Sequence, residues 1–208
     1  MNYVTIIVHN NMVTIEFLKQ TLYHAAHINE EQFALAEKLF TRVDIKKGDT
    51  TSLETGYGKD LNFIVKGLFR SYYIEPKTGN EINVFFFQEG EFMISLLIFN
   101  AENPCNYYVE ALEDSVVFTM SGEDLKKLYK VSHQWERFGR IIAEAYYRGS
   151  NARAESFIFN TPEERYLQLI KTFPTIFQRT SLLNISSYMG VKSQSLSRIR
   201  KRITKIKK

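Results

Sequence analysis

Residues 182–208 leave few options for folding. Between Lys192 and Lys208 there are eight Lys or Arg residues and no Asp or Glu. Ahead of them runs Ile185-Ser186-Ser187-Tyr188-Met189-Gly190-Val191, and Ser193, Leu196 and Ile199 follow at helical spacing. This spacing predicts two helices meeting at a tight turn. Such a turn needs a small residue where the backbones approach, supplied by Ser186, and a residue tolerant of positive φ, supplied by Gly190. Leu196 and Ile199 would pin the second helix onto the first. The opposite face is then left to carry Lys192, Gln194, Arg198, Lys201 and Arg202 toward a DNA groove.

Charge divides the chain in the same way. Residues 1–159 hold 16 basic and 21 acidic side chains, and residues 160–208 hold 11 basic and 2 acidic ones. A basic segment appended to an acidic body suggests a polyanion-binding module on a separate sensor or oligomerisation module. The single cysteine, Cys105, cannot by itself form an internal disulfide, a structural zinc site or an iron–sulfur cluster, and the expected compartment is the reducing cytoplasm. No apolar run reaches the roughly 18 residues of a membrane span. Residues 1–15 lack Lys and Arg, so they do not read as a signal peptide. Their Val and Ile residues suit one short strand, and Met12 is an alternative start.

Phe17–His27 and Glu30–Phe40 read as helices, the second capped by Asn29. From Arg42 the pattern becomes short apolar runs: Val43–Lys46, Leu61–Val65, Leu68–Ile74, Ile82–Phe87, Tyr107–Ala111 and Val116–Met120. Gly48, Gly58, Gly67, Gly79 and Gly90 punctuate them, and Pro76–Asn80 is a hairpin signal. The expectation is a small antiparallel β-roll or barrel. Ser121 with Asp124 then opens a helix containing Leu125, Leu128 and Tyr129. Thr161, Pro162, Glu163 and Glu164 open another, through Tyr166, Leu167, Ile170 and Phe173, which Pro174 stops.

Between these two lies a longer helical stretch with Trp135, Phe138, Ile142, Ala145, Gly149, Ala152, Ser156 and Phe159 in alternating steps of three and four. A mean step of 3.5 is the period of a coiled-coil seam. At 1.5 Å per residue the stretch is about 37 Å long. It is expected to pair with a second copy through Trp135, Phe138, Ile142, Ala145, Gly149, Ala152 and Ser156. The alternative is a helix packed on its own β-domain. The expected organisation is an extension over 1–16, a sensor over 17–130, a dimerisation helix over 131–159 and a helix-turn-helix over 160–208.

This order resembles the Crp/Fnr family of bacterial transcription regulators. The residues that carry the resemblance are Thr161-Pro-Glu-Glu-Arg-Tyr166, Ile185–Val191 and Ser195-Leu-Ser-Arg-Ile-Arg-Lys201. In the β-region they are Lys46-Lys-Gly48, Val65-Lys-Gly-Leu-Phe-Arg70, Gly90-Glu-Phe92 and Glu110-Ala-Leu-Glu113. The resemblance implies an α+β fold: a double-stranded β-helix or jelly-roll sensor of the cyclic-nucleotide-binding type, a long dimer helix and a winged-helix-like C-terminal domain. Thr204–Lys208 could at most begin a wing. It also implies a homodimer on double-stranded DNA, with RNA polymerase as a further candidate partner and no membrane. Base edges would be read by Ser193, Gln194 and Arg198, since a guanidinium suits guanine O6 and N7 and an amide suits adenine. Lys192, Arg200, Lys201 and Arg202 would contact phosphates. The alternative for Arg200 is a charge pointing away from DNA.

The implied effector pocket is Phe92, Ser95, Leu96, Cys105 and Asn106, and here the chain departs from the nucleotide-binding members. Ser95 stands where they have Glu, Cys105 falls near their Arg, and no cation occurs from Met93 to Glu113. A cyclic phosphate would lack its charge partner, so cyclic AMP is expected to bind weakly or not at all. No cofactor is expected, and a haem finds no paired ligands among the four His residues. The aromatic β-region favours either an apolar effector or a collapsed pocket. Two other readings compete: a small-molecule-binding module whose helix-turn-helix serves protein interaction, and a barrel enzyme. Arg42–Met120 contains no His, so the imidazole cluster of a barrel metalloenzyme is missing, and no enzymatic activity is expected.

Overall fold

Two four-stranded antiparallel sheets form the body of the chain. The computed structural model describes residues 15–53, 55–94 and 107–206, with side chains to 203. The N-terminal strand expectation and the pocket candidates Ser95, Leu96, Cys105 and Asn106 therefore lie outside the described residues. Strands β1 (Thr41–Ile45), β2 (Thr50–Ser52), β3 (Leu61–Lys66), β4 (Phe69–Ile74), β5 (Glu81–Phe87), β6 (Phe92–Met93), β7 (Tyr107–Ala111) and β8 (Ser115–Met120) pair in the orders β1-β8-β3-β6 and β2-β7-β4-β5. Ile45, Ile64, Phe69, Phe87, Val109, Ala111 and Val117 fill the space between the sheets. Their alternation along each strand is what turns one face inward. The β4–β5 hairpin closes over Pro76–Asn80, with Glu75 N–H donating to the Asn80 carbonyl and Gly79 at φ 70°. Strands β2 and β6 have three and two residues, too short to show a period.

Helices α1 (Ile15–Ala26) and α2 (Glu30–Ala34) precede the sheets. Asn29 caps α2 through a bond from Gln32 N–H, as its side chain predicts. The expected helix over Glu30–Phe40 is broken, however. Its second half is a 3-10 turn over Glu37–Leu39, and Phe40 is extended so that its ring stacks 6.3 Å from Phe33 and the chain can enter β1.

Helix α3 (Gly122–Val131) starts on Ser121, whose hydroxyl accepts from Asp124 N–H. Helix α4 (His133–Phe159) follows after one residue, Ser132. Its amino-terminal turns correct the seam expectation. Trp135 and Phe138 are 0% exposed and lie in this protomer's own core with Leu18, Leu22, Phe40, Phe63 and Phe92. The Trp135 indole N–H donates to the Gln32 carbonyl at 3.0 Å, tying α4 to α2. Ile142 also packs partly against this core. Phe92, expected in a pocket, has its ring 4.9 Å from both Phe63 and Phe138 and acts as core filler.

The reason for the correction is the helical period. A straight helix drifts about 20° per heptad from a 3.5-residue stripe. The inward line is therefore Trp135, Phe138, Gly139, Ile142, Tyr146 and Arg153, while Ala145, Gly149 and Ala152 turn out to solvent. Tyr146 was not picked out in the sequence. Its hydroxyl accepts from Ile94 N–H, and its ring meets Phe85 and Phe87. No helix among the described residues is long and apolar enough to cross a membrane.

Candidate nucleic-acid interface

The basic C-terminal lobe is built by α5 (Pro162–Thr172), α6 (Ile176–Arg179), α7 (Leu182–Met189) and α8 (Ser193–Ile206). Thr161 and Glu164 form a reciprocal capping box with Pro162 in the first turn, as that sequence predicts. Tyr166, Leu169, Phe173, Ile176, Ile185, Met189, Leu196 and Ile199 are buried together. Leu167 of the same helix is 43% exposed. Gly190 ends α7 at φ 64°, and its N–H reaches the carbonyls of Ser186 and Ser187. A Cβ at Gly190 would also lie 2.5 Å from the Phe157 ring of α4, so both conformation and space call for glycine. Ser186 is buried in the turn, with its hydroxyl 2.9 Å from that of Ser193. Ser193, a candidate base contact, is thus held in the turn.

With Leu196 and Ile199 facing inward, the helical period places Gln194, Ser197, Arg198 and Lys201 on one exposed face. Lys192 is exposed in the turn just ahead of it. Two of the expected phosphate contacts are engaged elsewhere. The Arg200 guanidinium lies 4.3 Å over the Phe177 ring, which favours the alternative of a charge turned away from a groove. Arg202 pairs with Glu163. Helix α8 runs to Ile206, so Thr204–Ile206 extend a helix where a wing strand was considered.

The lobe is docked on the β-body, an arrangement that no local pattern announced. Helix α7 covers β5, an edge strand of its sheet. Asn83 N–H donates to the Ser187 hydroxyl at 3.0 Å, and that hydroxyl is within bonding distance of the Glu81 carbonyl. The Asn83 amide donates to the Asn184 carbonyl, while its oxygen accepts from Arg70 beneath. Arg153 of α4 donates to the Asn83 carbonyl and lies 4.2 Å over Tyr188. Burial lowers the affinity of this guanidinium for its proton, and Tyr188 works against that. Phe86 is buried among the lobe's side chains, with its ring centroid 5.0 Å from Tyr188 and 6.1 Å from Phe173.

Arg179 completes the contact. It bonds Glu89 through Nη1 and Nη2 (3.0 and 2.7 Å) and Glu113 through Nε and Nη2 (3.2 and 2.6 Å). Burial alone would make this guanidinium release its proton more easily, but its bonds to Glu113 and Glu89 outweigh that and raise its pKa. Arg70 is likewise committed, to Glu81 and Glu110. Among the described residues, no group of three or more His, Cys, Asp or Glu is placed to hold a metal ion.

The family model for the cyclic nucleotide-binding domain matches residues 42–132. No curated protein matches the chain by sequence. Among solved structures, the chain is similar to a candidate transcriptional regulator of the Crp/Fnr family from Eubacterium rectale, at 14% identity and a TM-score of 0.67, over 86% of this chain and 84% of that one. It is similar to FixK2 from Bradyrhizobium japonicum at 18% identity and a TM-score of 0.67, over 80% and 85%. It is also similar to the c-di-GMP-responsive global regulator CLP of Xanthomonas campestris, at 13% identity and a TM-score of 0.64, over 85% and 92%. At these identities the likeness is one of fold.

Proposed function

For a chain that carries a cyclic nucleotide-binding domain over residues 42–132 and the Crp/Fnr fold around it, we propose the role of a dimeric, sequence-specific DNA-binding transcription regulator. The observation that carries this is α8. Leu196 and Ile199 are buried, Gly190 sets the turn, and Gln194, Arg198 and Lys201 share an exposed face in a lobe of strong positive charge. Gln194 and Arg198 read base edges, while Lys192 and Lys201 meet phosphates. The dimer forms along the outer face of α4. There Tyr147 and Ile158 are each 72% exposed, three helical turns apart, with Ala143 and Ala154 on the same side. The helical period puts Ala145, Gly149 and Ala152 on the opposite side of α4 from that stripe. The two α8 helices then address half-sites about one DNA turn, roughly 34 Å, apart.

The test is selection of bound duplexes from a random pool, followed by a salt titration. The expected result is a two-fold symmetric site whose affinity falls steeply with salt, because phosphate contacts release counterions. Exposed Leu183, at 70%, favours the competing reading of the helix pair as a protein-binding surface. Recovery of no preferred duplex, with salt-insensitive binding, would establish that reading instead.

The sensor responds to something other than cyclic AMP. The stretch from Met93 to Glu113 supplies no cation, and the buried Arg70 is already held by Glu81 and Glu110. Isothermal titration with cyclic AMP is expected to give no micromolar binding; a micromolar isotherm overturns this.

A further inference from the structure

We propose that the β-body clasps the helix-turn-helix lobe through Arg179, gripped by Glu89 and Glu113, and that opening this clasp lets the lobe, with its already exposed α8 face, reposition on DNA away from those carboxylates. The inference rests on the DNA-binding reading above and adds a control element to it.

Three features support it. First, one guanidinium faces two carboxylates through both of its edges, and its side chain is only 18% exposed. Paired bonds of this kind are strong and directional. The same planar fork suits phosphate oxygens, so the carboxylates occupy a cation that DNA could otherwise use. Second, the grip, made by the last residue of α6 on the turns after β5 and β7, lies beside the α7–β5 contact. Asn83 touches α7 with both its backbone N–H and its amide, and it is held from beneath by Arg70. A shift of the sheet is therefore felt at α7 without passing along α4. Third, the clasp holds a basic lobe against Glu81, Glu89 and Glu113, a face that repels phosphate. Contacts that exist in one arrangement and are lost in the other are what allow one site to bias another.

Loss of the carboxylates leaves the Arg179 charge enclosed without a counter-charge, a costly state that movement into water relieves. The test uses full-length protein with Glu89→Gln and Glu113→Gln together. Glutamine keeps the shape, and it keeps an acceptor for the Gly67 N–H that now bonds Glu89. Glu31→Gln with Glu37→Gln, on exposed residues of the opposite end, provides a charge-matched control. Hydrogen exchange at the Asn83 backbone N–H, bonded to Ser187, reads the docking of α7 on β5 that opens with the clasp, and exchange at Val117, inside β8, reports that the sensor stays folded.

The expected result is about tenfold faster exchange at Asn83, with Val117 unchanged, and about tenfold tighter duplex binding than the control shows. Linkage requires the reverse effect too: wild-type protein saturated with its selected duplex must lose protection at Asn83. Protection that persists there in duplex-bound wild type overturns the clasp, even if the double variant unfolds. Equal duplex affinity in variant and control ends this inference alone. Absence of duplex binding by wild type, variant and control ends the functional reading and the inference together.

Discussion

Trp135→Ala is expected to lower the free energy of unfolding by about 3–5 kcal/mol, the range for emptying a large aromatic site in a packed core. Trp135 is 0% exposed and meets Phe40 and Phe138. Its removal also strips the part-buried Gln32 carbonyl of its indole donor, so the loss combines a cavity with a lost hydrogen bond. Denaturant unfolding measures the size of the effect, and sedimentation under native conditions separates the two roles proposed for this residue. A side chain belonging to the protomer's core costs stability and leaves the subunit stoichiometry as in wild type. A variant that keeps wild-type stability and falls to monomers would return Trp135 to the interface between copies.

Arg198→Ala is expected to reduce discrimination at one base pair in each half-site by about 1–3 kcal/mol, roughly 5- to 150-fold, while leaving the melting temperature unchanged. Arg198 sits on the outer line of α8, with a single long 3.5 Å contact to the Ser195 hydroxyl. Little in the fold therefore depends on it. Arg200 provides the contrast within the same helix. Its stacking on Phe177 makes Arg200→Ala a change in packing, felt in stability and only weakly in sequence preference. Binding to a panel of duplexes with single-base changes resolves the two. Unaltered preference in Arg198→Ala would remove this residue from the groove.

The sequence made some parts of this molecule plain and hid others for physical reasons. Caps are local chemistry, and Asn29, Ser121 and Thr161 each cap the helix they were expected to open. The turn at Gly190 and the inward pair Leu196 and Ile199 were legible because backbone conformation and helical period act over a few residues. The strands of five or more residues were visible through their glycine boundaries, whereas β2 and β6 were not. In α4 the stripe of apolar and small residues was visible, but it did not reveal what its first turns pack against. Its first turns fill a core whose partners lie about a hundred residues away in α1 and α2. Tyr146, Arg153, Asn83 and Arg179 went unnoticed because their significance lies entirely in contacts across the chain. No spacing rule links Asn83 to Ser187, or Arg179 to Glu89.

Among the described residues, strand β5 lies at the border of its sheet, and the outward backbone groups of Glu81 and Asn83 bond to Ser187 and Arg153 from helices. An uncovered border of this kind is an adhesive template for any extended peptide. If the lobe lifts away, Glu81–Phe87 becomes such a template, complete with a bared Phe86. The liberated form would therefore be prone to self-association into precipitate unless nucleic acid or another polypeptide shields that rim, which ties its solubility to the company it keeps.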